Sequence, residues 1–194
     1  MDILMASIRR FSVRLATAGV VLAATLVASP RIAAISAADA ASDVALKAAF
    51  LYNFAKFTEW PALPADAAIA VCIVGDDKIA AAVVETVRGQ SINAHALEVR
   101  RVQDSAAWPA CHVLFIADTE TRRSASALNG IKKLPILTVS DGKDFAQTGG
   151  IIEFFVDNGR MRFAINVDTA EGSGLHLSSR LLGLAKVIRN GHVP

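Results

Sequence analysis

The chain has 194 residues, 53% of them hydrophobic, with 20 basic and 18 acidic side chains and a formal net charge of +2 at pH 7. Four arginines and one aspartate fall within the first 38 residues, so the sequence pI of about 8.7 belongs mostly to that stretch. The rest is close to neutral, with no basic cluster to suggest nucleic acid and no segment long and apolar enough to cross a bilayer.

Arg9, Arg10 and Arg14 precede an apolar run from Leu15 to Ala28 that is followed by small residues, the layout of a secretory signal peptide. Cleavage fits after Ala38 or after Ala40, each with a small residue two positions earlier. An apolar run of about fourteen residues is short of the roughly 20 needed to span hydrocarbon, which favours cleavage over an uncleaved anchor. Residues 1–38 are therefore read as a leader and 39–194 as one exported domain of ordinary size. Export permits a disulfide between Cys72 and Cys111, and with only two cysteines in the chain that bridge is favoured over two buried free thiols.

The first element of the domain is an amphipathic helix. Ser42 and Asp43 offer a cap, Leu46, Phe50, Phe54 and Phe57 recur at helical spacing toward the core, and Pro61 marks the end. Five of the chain's twelve aromatic residues lie between Phe50 and Trp60, and the stretch has to be explained by folding, by binding or by both. The run 69–75 is continuous, apolar and β-branched, as in a strand buried on both faces. Residues 77–87 follow as a helix, 95–102 as a strand covered on one face, and 111–118 as a second buried strand. A short helix spans about 120–129, ending at Asn129-Gly130, and 134–141 is a third buried strand. The segment 149–168 is two strands joined across Asn158-Gly159, a strong hairpin signal. Leu181, Leu182, Leu184, Ala185 and Ile188 predict a last helix from about Ser178 to Arg189. Strands alternating with helices imply parallel pairing. The fold expected is α/β: a largely parallel sheet flanked by helices, with an antiparallel hairpin at one edge.

Acidic residues follow three of these strands: Asp76 and Asp77, Asp118, and Asp141. Carboxylates at strand ends could hold a hard cation, as in phosphoacceptor receiver domains. The next strand after Ser140, within TGGIIEFF, offers no lysine to neutralise a phosphate, and aspartates commonly cap the helix after a strand, so capping is the favoured reading. The four histidines stand singly, without metal-ligand spacing. There is no nucleophile elbow, zincin motif or phosphate loop. The chain reads as a non-enzyme without a cofactor. One further candidate site lies in 160–180, where Arg162 and Asn166 share a strand face and His176, Ser178 and Arg180 follow a glycine-containing turn. These five residues could receive an anionic or aromatic small molecule.

The stretches "LKAAFLYNFAKFTEWP", "CIVGDD", "CHVLFIADT", "ILTVSDGKDFAQTGGIIEFF", "GRMRFAINVDTA" and "GLHLSSRLLGLAKV", in this order, resemble the YfiR family of exported bacterial proteins over about residues 43–189. The resemblance implies a periplasmic, often dimeric protein that represses a membrane-bound diguanylate cyclase by binding its periplasmic sensor domain, lowering cyclic-di-GMP and biofilm formation. It maps the family's disulfide onto Cys72 and Cys111, while a second bridge of some members would fall where this chain has Phe145 and Ile152. It also implies a small aromatic or nucleotide-like ligand near the end of the first helix and the Gly174–Ser179 segment. Tyr52, Lys56 and Glu59 lie on the helix side opposite the phenylalanines. With Trp60 they form the expected partner or dimer surface, since exposed Tyr and Trp are favoured interface anchors.

Overall fold

The computed structural model describes residues 31–61 and 63–189. Helix α1 spans Arg31–Lys56 without a break. Its first half is alanine-rich and holds no proline or glycine, and alanine is the strongest helix former. The expected start at Ser42 and Asp43 is corrected accordingly: both residues lie inside α1. The leader assigned to residues 1–38 lies mostly outside the described residues, and the backbone of 31–38 belongs to α1.

After α1 come β1 (Thr58–Glu59), β2 (Ile69–Val74), α2 (Asp77–Val87), β3 (Ser91–Ile92) and β4 (His95–Arg101). A 3-10 helix (Ser105–Ala110) leads to β5 (Val113–Ile116), α3 (Asp118–Ile131) and β6 (Leu137–Ser140). The chain then forms β7 (Ile152–Asp157), β8 (Arg160–Asn166), α4 (Val167–Gly172), β9 (His176–Leu177), α5 (Ser179–Leu182) and β10 (Lys186–Ile188). Eight strands make one sheet in the order β10-β8-β7-β6-β5-β2-β4-β3, and β1 pairs with β9 as a separate ribbon. The strands from β4 through β2, β5 and β6 to β7 are parallel. The hairpin extends the sheet on the β7 side, with Asn158 and Gly159 at φ 49° and 71° as a tight primed turn requires.

The last predicted helix is corrected. Only Ser179–Leu182 is helical, and Lys186–Ile188 instead pairs parallel with Ala164–Asn166 of β8. The open hydrogen-bonding edge of β8 competes with helical periodicity and wins, because unpaired backbone groups beside a core are costly. Helix α3 likewise runs past Asn129 and Gly130 to Ile131, whose buried side chain reaches the core.

Alternation along β2 separates two cores. Ile69, Val71 and Ile73 face α1 and α2, while Cys72 and Val74 face Trp108 of the 3-10 helix and Ile131 of α3. The face of α1 against the sheet is corrected from the expected stripe. Ala48, Leu51, Phe54 and Ala55 are fully buried, Phe50 and Phe57 are half-buried, and Leu46 is 40% exposed. Helix α1 also packs against α2. Phe50 and Phe54 reach Phe154 and Phe163 of the hairpin, with Phe54 and Phe163 edge-on at 5.0 Å. Each fully buried large side chain contributes about 1.5–3 kcal/mol.

Candidate functional site

The end of α1 leads directly into the β1–β9 ribbon. Thr58 lies opposite Leu177 and Glu59 opposite His176. Thr58 is buried, and its hydroxyl donates to the Phe54 carbonyl at 2.7 Å, turning the chain out of the helix. The Ser178 N–H donates to the Phe57 carbonyl at 3.0 Å, locking the far end of the ribbon to the helix terminus. Ser178 Oγ then accepts from the Leu181 N–H at 3.3 Å and caps α5.

Two groups of residues that are far apart in the sequence are thereby drawn together. Glu59 and His176 are exposed register partners, and Lys56 and Arg180 are exposed within three residues of the ribbon on either side. The surface mixes two cations, a carboxylate and an imidazole. Tyr52 is half-buried against the core, and its hydroxyl stands 3.4 Å from Gln90 Oε1, just beyond α2.

Trp60 is corrected from an exposed anchor to a buried residue, 8% exposed. Its ring stands edge-on to His112 at 6.1 Å, and its indole N–H has no acceptor among the described residues. His112 precedes β5 and accepts the Ala70 N–H on Nδ1 at 3.0 Å, which puts the proton of the neutral ring on Nε2. Burial lowers the His112 pKa, with smaller contributions from the positive charge of Arg100 and from His95.

Arg162 and Asn166 do not join this surface through their side chains. Arg162 is exposed on β8 opposite Phe155. Asn166 is buried, donating from Nδ2 to the Ala146 carbonyl at 2.8 Å and accepting the Thr169 N–H at 2.9 Å. Its polar atoms are spent on fixing a loop and capping α4.

Two of the strand-end aspartates, Asp76 and Asp141, act as caps. Asp76 accepts from the N–H groups of Lys78 and Ile79, both at 2.9 Å. Helix α3 has no cap of its own, and Asp141 supplies one from the end of β6 by accepting the Asp118 N–H at 2.7 Å. The other Asp141 oxygen pairs with Lys47 of α1. Lys47 escaped the sequence reading, since nothing in its own surroundings points to a partner 94 residues away.

Cys72 and Cys111 form a disulfide in the layer between β2 and the 3-10 helix, both sulfur-bearing side chains buried. Cys111 closes the 3-10 helix, its N–H donating to the Trp108 carbonyl at 2.9 Å. Among the described residues no group of three or more His, Cys, Asp and Glu is arranged to hold a metal, and no helix is long and apolar enough to cross a membrane. A family model described as YfiR/HmsC-like matches residues 44–186, from the middle of α1 to the start of β10.

Proposed function

The chain belongs to the YfiR/HmsC-like family, and from that premise we propose that it is a periplasmic repressor of an inner-membrane diguanylate cyclase. It binds the periplasmic sensor domain of the cyclase, and so lowers cyclic-di-GMP and biofilm formation. The observation that carries this reading is the family match, which takes in the ribbon, both cysteines and nearly the whole sheet. Membership of a regulatory, non-catalytic family supports a binding role.

In this reading the leader is removed on export and the mature protein acts as a homodimer. The ribbon is the partner-facing surface: Lys56, Glu59, His176 and Arg180 supply exposed charge of both signs, and buried Trp60 stiffens the platform beneath them. Mixed rim charges set orientation and partner choice more than raw affinity. The small aromatic or nucleotide-like ligand would meet this surface through His176, Ser178 and Arg180.

The test is cellular cyclic-di-GMP in a deletion strain, complemented either with the wild-type protein or with the exchange variant Lys56→Glu/Glu59→Lys. Deletion should raise cyclic-di-GMP, the wild type should restore it, and the folded exchange variant should not. Unchanged cyclic-di-GMP on deletion would remove the repressor role. Full restoration by the exchange variant would move the partner surface away from the ribbon.

A further inference from the structure

The carboxyl ends of β2 and β4 and the first turns of α3 enclose a cleft of about 560 Å³, lined by the strand-end Asp76 and Asp77 but by none of the residues expected to meet a ligand or a partner. From β2 the chain goes first to β4 on one side and then to β5 on the other, so the strand order reverses here. Ligands of open α/β sheets sit outside the carboxyl ends of the strands at such a reversal. A second recess of about 460 Å³ shares Val74, Gln103, Glu120 and Arg123 with the first and continues to Trp108 and Ser124. Both volumes lie in the range of small-molecule sites.

The wall chemistry narrows the ligand. Asp77 faces Arg101 at 3.6 Å and Glu120 holds Arg123 at 2.7 Å. Asp76 is occupied by the first turn of α2, and Asp104 by the Ala106 N–H at 2.9 Å. Carboxylates and guanidinium groups therefore share the rim, and no field of one sign selects a cation or an anion. Gly75, at φ +82°, matters here: a Cβ would stand 2.3 Å from Glu120 Cγ, so only glycine lets Glu120 lie across the end of β2. At the inner end Trp108 is 2% exposed, and its Nε1–H lacks an acceptor among the described residues.

Carboxylates accept from hydroxyl groups, while guanidinium, amide and indole N–H groups donate to them. A hydroxyl does both, so it enters the long Asp77–Arg101 pair and leaves neither charge stranded. An anion or an ammonium would serve only one partner of this pair, and the other, Arg101 at 65% or Asp77 at 86% exposed, would return to water. We propose that this cleft binds an uncharged polyhydroxylated small molecule, of the monosaccharide and short oligosaccharide class. The site is separate from the ribbon, and its ligand is measured on the purified protein without any cyclase.

The experiment is isothermal titration calorimetry of the full exported protein with glucose, N-acetylglucosamine, cellobiose and chitobiose, with citrate and lysine as the charged comparisons. At least one neutral sugar should bind saturably and change Trp108 emission in a Trp60→Phe background. Asp77→Ala/Arg123→Ala removes two largely exposed side chains, 86% and 77% accessible, and leaves the fold intact. It should weaken binding about tenfold or more, as expected for loss of charged hydrogen-bond partners. Absence of binding by all four sugars, tighter binding of citrate or lysine, or sugar binding unchanged in the double variant would each overturn the assignment.

Discussion

Removing the Cys72–Cys111 bridge is the most quantitative perturbation the structure offers. The bridge joins residues 39 apart in sequence, so it closes a loop of about 40 residues in the unfolded chain. Loop-closure entropy for that length corresponds to about 4 kcal/mol at room temperature. The sulfur atoms lie in the layer with Trp108, Leu114 and Ile116, so Cys72→Ala/Cys111→Ala also leaves a small void worth about 1 kcal/mol. For a domain of this size each kcal/mol moves the melting temperature by about 2–4 °C, which predicts a fall of about 10–20 °C. Urea titration separates the two contributions. Without the cross-link the unfolded chain expands and exposes more surface, so the denaturant slope should rise as the midpoint falls. A void alone would lower the midpoint at constant slope. A loss below about 1 kcal/mol with an unchanged slope would refute the loop-entropy reasoning.

Trp60→Ala should cost about 3–5 kcal/mol as a buried large-to-small change. Trp60→Phe gives up some buried area but also an unsatisfied donor, so its urea midpoint should correspond to a change within about 1 kcal/mol. Asp141→Ala should lose about 2 kcal/mol by removing the α3 cap and the Lys47 partner together, whereas Asp141→Asn keeps an acceptor for the Asp118 N–H and should lose about half as much. Thermal melts of the two variants check this, and equal losses would contradict the cap. His112 is held neutral in the folded protein, so the unfolded chain takes up its proton more readily. Its contribution is complete above the ordinary histidine pKa of about 6.5 and is lost as the pH falls through the lower folded value. The urea midpoint should therefore drop on acidification below about pH 6.5, and less steeply in His112→Gln.

Elements whose signals are local were legible in the sequence. The run Ile69–Val74 is apolar on both faces because it is covered on both, Asp76 announces α2, and Asn158-Gly159 marks the hairpin. Readings failed where distant partners decide the outcome. Leu181 to Ile188 has helical spacing, but the edge of β8 is available only once the hairpin has formed. Aromatic residues suggested the buried stripe of α1, whereas Ala48, Leu51 and Ala55 are buried there beside Phe54. Of the residues expected at the partner surface, Lys56 and Glu59, and of those expected at a ligand, His176 and Arg180, are exposed around one ribbon. Their convergence depends on a pairing between residues more than a hundred positions apart, which spacing along the chain does not reveal. The strand-end cleft lay where the sequence reading looked, but that reading weighed only the carboxylates and passed over Arg101 and Arg123.

The position of β10 has a consequence for how the protein is made. Phe163, Ala164 and Ile165 are buried in β8, whose outer edge is covered, among the described residues, by Lys186–Ile188. A chain that emerges in order therefore presents an apolar, unpaired strand edge until residue 188 has emerged. Such an edge is a template for pairing with other chains. Holding the chain unfolded until its last strand arrives would guard against aggregation, and a cut just before Lys186 would turn the hairpin from an internal strand pair into a sticky border.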